Sequence, residues 1–183
     1  MSKAVMLSVR PKWCEKIASG EKTNEVRKTK PKLKTPFKCY IYCTLQGCNE
    51  FFRVNLGGDV AKWNRGKWAD RKGNVIGEFT CDRIYEIAPL NHAPDDVEKQ
   101  ACLTREEIVN YLKGTGYGWH ISDLLIYDHP RELTEFRRSC PNDLYCEACA
   151  MYSNNNGICN NGALPLRRPP QSWCYVEAMK DAK

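Results

Sequence analysis

The segment Gly20-Glu21-Lys22-Thr23-Asn24-Glu25-Val26-Arg27 gathers an ammonium, a carboxylate and a guanidinium over a few residues. In an extended stretch side chains alternate, so Thr23, Glu25 and Arg27 share one face, and Lys22, at the bend beside a helix end, can swing toward it. Two cations and one acceptor converging on a cleft would hold a phosphate with Arg27 and Lys22, while Glu25 orients Lys22 or accepts from a base amino group. The alternative is a solvent-exposed ion pair of Glu25 with Lys22 or Arg27, worth roughly 0 to 1 kcal/mol.

Two further groups of residues suggest chemistry. Trp63 and Trp68 stand among Lys62, Arg65, Lys67, Arg71 and Lys72, a mixture that suits stacking plus phosphate contact with single-stranded nucleic acid, or else two indoles that plug a barrel mouth. Cys140, Cys146, Cys149 and Cys159 lie on an Asn-rich segment with few apolar residues. A structural zinc held by four thiolates would give that segment something to fold around; a reduced loop and a redox CxxC are the alternatives. Cys39 and Cys43 cannot share an ion, because four strand residues span about 13 Å. Cys14, Cys81, Cys102 and Cys174 read as small buried hydrophobes.

The charge is unevenly placed. Residues 1–38 carry 11 Lys/Arg against 3 Glu, while the rest carry 17 against 19 acidic residues, so the net +6 is entirely amino-terminal. A patch of that kind attracts polyanions and makes nucleic acid the first partner to consider, with a merely solvated basic loop around Lys28-Thr29-Lys30-Pro31-Lys32-Leu33-Lys34 as the alternative. At 183 residues and 42% hydrophobic content the chain suits one domain over 1–183, with a Cys-rich insertion at about 139–166 before the last strand. No apolar run reaches the roughly 20 residues of a membrane span, and no secretory signal opens the chain, so a cytoplasmic protein with reduced thiols is expected.

The elements that must position these groups read as follows. Ala4 to Val9 is a strand, Arg10-Pro11 a turn, and Lys12 to Ser19 a short helix with Trp13 and Ile17 inward, ended by Gly20 in a left-handed conformation. Thr23 to Lys28 is extended, Phe37 to Thr44 is a strand, and Gly73-Asn74 turns into one long strand from Val75 to Ile87. Thr104 caps a helix stopped by Gly114, Tyr117 to Tyr127 is a strand broken by Asp128-His129-Pro130, and Ser172 to Met179 is the last. Strands outnumber helices without repeated strand-helix units, which favours an α+β, mainly β fold with a curled sheet and a few packed helices.

The order strand, short helix, GxKxxExR resembles the ASCH family of the PUA-like superfamily, of phage and bacterial type. Gly73-Asn74-Val75-Ile76-Gly77-Glu78-Phe79 is similar to that family's GxVIGEF strand. The likeness covers roughly residues 4 to 87 and the closing strand at Ser172-Trp173-Cys174-Tyr175-Val176-Glu177. It implies a small β-barrel and a cleft beside the motif that binds RNA or a modified nucleotide; Lys22, Glu25 and Arg27 are expected at its floor, Thr23 beside them, and Arg10 and the lysines of residues 28–38, Lys28 first, guiding the phosphates. Trp63 and Trp68, and Arg167, Arg168, Gln171 and Trp173, are the residues expected around it. Enzymatic branches imply hydrolase alternatives. The acetylcytidine amidohydrolases use a Lys near the motif and a Thr two residues before its Arg, where this chain has Glu25. An endoribonuclease would draw its acid and base from Lys22, Glu25 and His120. Histidine between Trp119 and Ile121 reads more readily as a packed, hydrogen-bonded residue. A zinc-stabilised protein-interaction module is the third reading.

Overall fold

A computed structural model of the chain describes residues 3–45, 73–88, 96–139 and 165–179. Strands β1 (Lys3–Val9), β3 (Phe37–Cys43), β4 (Val75–Cys81), β7 (Ser122–Arg131) and β8 (Trp173–Glu177) form a five-stranded sheet in the order β7-β4-β3-β1-β8. Strands β2 (Asn24–Arg27), β6 (Gly116–His120) and β5 (Ile84–Ile87) form a second sheet in the order β2-β6-β5. Among the described residues only β1 and β3 pair in parallel, and all other neighbours are antiparallel. Among the described residues the two sheets do not join into a closed barrel, and the architecture is α+β, mainly β.

The alternation of β1 shows how the sheet is sandwiched. Val5, Leu7 and Val9 enter an inter-sheet core with Cys39, Ile41, Phe79 and Trp119, while Ala4 and Met6 enter a second core with Tyr40, Phe136 and Leu166 on the other side. Each fully buried Val, Leu, Ile, Phe or Met among them contributes about 1.5–3 kcal/mol. Gly77 sits where β4 meets β7; a Cβ there would collide with the Leu125 carbonyl oxygen, so only glycine lets the strands approach. Burial pushes the Cys14 and Cys39 thiols well up and that of Cys81 up to about 12, which keeps them protonated and inert. Cys102 and Cys174 are only partly buried, unlike the expectation for them.

Helix α1 (Pro11–Ala18) begins with proline at its first turn and turns Cys14 and Ile17 into the inter-sheet core; Trp13 is only partly buried. Gly20 takes φ +79°, the left-handed conformation that ends the helix and bends the chain back, so that Lys22 N–H donates to Lys16 O. Helix α3 (Arg105–Leu112) is started by a capping box in which Glu107 N–H donates to Thr104 Oγ1 and Thr104 N–H to Glu107. Its last turn is closed by Lys113 at φ +54°, one residue before the glycine expected to stop it. Helix α2 (Val97–Ala101) was not expected, because five residues carry too little periodicity to read.

Two long strands expected from the sequence each break in two. The chain leaves the five-stranded sheet at Asp82-Arg83 and enters the small sheet as β5; it makes the reverse crossing at Ile121 between β6 and β7. The two corners are tied together: His120 N–H donates to Arg83 O, and His120 Nδ1 lies 2.6 Å from Asp82 Oδ1. β-forming residues stand on both sides of each corner, and the polar pairs Asp82-Arg83 and Ser122-Asp123 that interrupt them are the marks of the breaks in the sequence. Conversely, β7 does not stop at Asp128-His129-Pro130 but continues to Arg131, since at a sheet edge proline has no ladder partner to disappoint.

Candidate functional site

All four residues of β2 are buried, because both faces of the strand are covered. Val26 packs with Ile87, Val97, Ala101, Ile108 and Leu112, the side occupied by α2 and α3. Glu25 and Arg27 pair across the ladder with Trp119 and Tyr117, which belong to the inter-sheet core. Two charged residues are thereby placed inside the protein, where a charge must be paired and hydrogen-bonded to be tolerated.

Both cations are paired with Glu25, and among the described residues one buried nitrogen of the cluster, Arg27 Nε, has no hydrogen-bond partner. Glu25 Oε1 is 2.8 Å from Arg27 and Oε2 is 3.3 Å from Lys22 Nζ. Lys22 donates hydrogen bonds to the carbonyls of Asn24 at 2.8 Å and Ala101 at 2.7 Å, with Glu25 beside it as an ion-pair partner. The Ala101 bond satisfies a carbonyl at the end of α2 and ties that helix to the motif. Arg27 donates further to Ser8 O at 2.8 Å and to Ser172 O and Oγ at 3.3 and 3.2 Å, joining β2 to β1 and to the start of β8. Lys22 also lies 5.2 Å from the Trp13 ring centroid.

This cluster borders a cavity of about 410 Å³, within the range of small-ligand sites. Lys22, Glu25 and Arg27 line it together with Arg10, Trp13, Tyr111, Gln171, Ser172 and Thr44. Three cations against one carboxylate leave the lining net positive. Burial raises the Tyr111 phenol, Arg27 pulls it down, Glu25 pushes it up and Arg10 pulls it down; the net rise keeps it a hydroxyl at neutral pH. It can therefore donate a hydrogen bond as well as offer a ring face.

The expected site residues separate as follows. Arg10, Lys22, Glu25 and Arg27 come to one cavity; Thr23 and Lys28 flank it without lining it, Thr23 being fixed through its backbone to Gln100 O and Ile121 N–H. Arg167, Arg168 and Trp173 are not in the lining either, and Trp173 is packed between Trp119 and Tyr175. His120 is bonded to Asp82, and it is not in the lining. Trp63, Trp68, Cys140, Cys146, Cys149 and Cys159 lie outside the described residues. Among the described residues no group of three or more His, Cys, Asp or Glu is arranged to hold a metal, and no helix is long and apolar enough to cross a membrane. The roles of Trp13, Tyr111 and Ser172 in the cavity wall escaped the sequence reading. Trp13 and Tyr111 were legible only as apolar positions of helices, and Ser172 carried no signal of its own.

No protein-family model and no curated protein matches the chain. Its structure is similar to the crystal structure of a serine-to-alanine mutant of the ASCH protein from Zymomonas mobilis, with a TM-score of 0.54 at 14% identity over 95% of this chain and 88% of that one. A tyrosine-to-phenylalanine mutant of the same protein gives a TM-score of 0.50 at 15% identity over 96% of this chain and 91% of that one. The strand order, the short helix before the motif and this likeness agree: the chain has an ASCH-type fold.

Proposed function

We propose that the protein binds RNA or a modified nucleotide in the cavity floored by Lys22, Glu25 and Arg27. One observation carries this reading: the three charges of the motif border a single hollow whose remaining wall includes an indole, a phenol and the rim guanidinium of Arg10. A nucleotide has the matching parts. Its phosphate meets Arg10, its base stacks on Trp13 or Tyr111, and base N–H groups donate to the lone pairs that Glu25 keeps free of Lys22 and Arg27. Lys22 serves here as a fixed positive neighbour of Glu25 and does not grip the phosphate directly, since it is buried, donates to two carbonyls and has its charge answered by Glu25.

The hydrolase readings receive less from this geometry. To act as a base or nucleophile Lys22 would have to give up its proton and one of its three partners, and His120, directed to Asp82, is outside the cavity lining. The test is to recover and identify by mass spectrometry the nucleotide or RNA that copurifies with the protein, in parallel with an Arg10→Ala/Tyr111→Ala double variant. Both residues are exposed, so the variant keeps its fold. Nucleotide enriched on the native chain and lost from the variant supports the reading; equal recovery from both defeats it.

A further inference from the structure

The lysine-rich segment 28–34 is held against the protein, and its side chains alternate. Thr29 Oγ1 accepts from Trp173 Nε1 at 2.9 Å, Pro31 is buried, and Leu33 packs on the inter-sheet core. The backbone N–H of Lys32 donates to Tyr175 OH at 2.7 Å. The intervening lysines, Lys28, Lys30, Lys32 and Lys34, are all exposed. Lys28 Nζ stands 5.4 Å from the Tyr111 ring centroid and Lys30 Nζ 4.9 Å from that of Tyr117. No salt bridge to a carboxylate joins any of these four lysines among the described residues. The row starts at the cavity, since Lys28 follows Arg27 and covers Tyr111, and both of those line it.

A row of anchored, unpaired ammonium groups leading out of a base-sized hollow suits a ligand that has a base at one end and repeated negative charges along the rest. Resting on the nucleotide reading above, we propose that the ligand is a single-stranded polynucleotide that places one base in the cavity and lays its following phosphates along Lys28, Lys30, Lys32 and Lys34. A duplex does not fit this description, because its bases are paired and stacked and none can enter the hollow without being flipped out. The anchoring through Thr29, Pro31, Leu33 and the Lys32 backbone means that the lysines are ordered before binding, which reduces the entropy lost on association.

The experiment measures fluorescence anisotropy over a salt series. The probes are labelled 12-nucleotide RNA and DNA single strands of mixed sequence, their duplexes, and nucleoside 5′-monophosphates as competitors. The proteins are the native chain and a Lys30→Ala/Lys32→Ala/Lys34→Ala variant, whose changes lie outside the cavity lining. Each neutralised phosphate of a single strand contributes about −0.7 to the slope of log K against log salt, so the triple variant should be shallower by about 2. Its affinity for monophosphates should stay unchanged. Tight binding of RNA alone, or of both RNA and DNA strands, supports the proposal. An unchanged slope, a duplex bound as tightly as the strand, or a parallel loss of monophosphate affinity overturns it. Monophosphates that bind while strands gain nothing overturn the lysine row alone; a native chain that binds neither overturns the cavity reading as well.

Discussion

Lys22 and Lys30 are eight positions apart in a chain where both look like members of one basic run, yet they do opposite things. Lys22 is 2% exposed, with its charge answered by Glu25 and two carbonyls, and it ties α2 to the motif. Lys30 is exposed over the face of Tyr117 on a segment anchored by its neighbours. A charge locked inside the protein fixes the shape and potential of a hollow; a charge left outside is available to attract and release a partner. The count of basic residues does not distinguish them, and the coverage of β2 on both faces does.

The comparison breaks first at Glu25. Replacing it by alanine leaves Lys22 and Arg27 buried without their counter-charge, which should cost about 3–5 kcal/mol in chemical denaturation, whereas Lys30→Ala should stay within about 0.5 kcal/mol. Similar midpoints for the two variants would mean that the three charges are not a buried unit. A smaller loss is expected behind the strand. A Cβ at Gly118 would stand 2.6 Å from the buried Asn24 Oδ1, so Gly118→Ala should destabilise by about 1–3 kcal/mol through displacement of β2, and a neutral result would show that Asn24 moves freely.

The comparison is sharpened by the helix that carries Tyr111. Thr104→Ala removes the side-chain half of the capping box of α3 and should cost about 1 kcal/mol, read as a lowered denaturation midpoint, while Thr104→Ser should restore it. The smallest effect is expected at the corner clasp. Burial raises the Asp82 carboxyl, but the hydrogen bond and charge of His120 outweigh it and hold the group below its ordinary value. Its contribution to stability is therefore present above the unfolded-state value and lost as pH falls through the folded one. Asp82→Asn should flatten the acid limb of a stability-against-pH curve by a detectable but modest amount, because both partners are partly exposed. An acid limb identical to that of the native chain would remove the clasp from the account.

Much of the molecule was legible where a local rule and the tertiary structure coincide. The proline at the start of α1, the glycine after it and the threonine before α3 each act through their own backbone or nearest turn, and they stand where their chemistry places them. The motif was legible as a set of charges. What could not be read was its surroundings: that both faces of β2 are covered, that Ala101 O and Ser8 O accept from Lys22 and Arg27, and that Trp13 and Tyr111 wall the hollow. Those depend on contacts between separate segments, 19 residues apart in the Arg27–Ser8 bond, 79 in Lys22–Ala101 and 145 in Arg27–Ser172, and periodicity carries no trace of them. The corners at Asp82-Arg83 and Ile121 were missed because β-forming residues resume directly after the short polar pairs Asp82-Arg83 and Ser122-Asp123.

The most direct measurement is a structure of the protein with the recovered nucleotide, or with a nucleoside 5′-monophosphate, bound at saturating concentration. The base should lie against Trp13 or Tyr111 with a polar edge on Glu25 and the phosphate toward Arg10, while the Lys22, Glu25 and Arg27 contacts remain as they are. Density for the ligand on another face, with the hollow beside Glu25 filled only by solvent, would contradict the account.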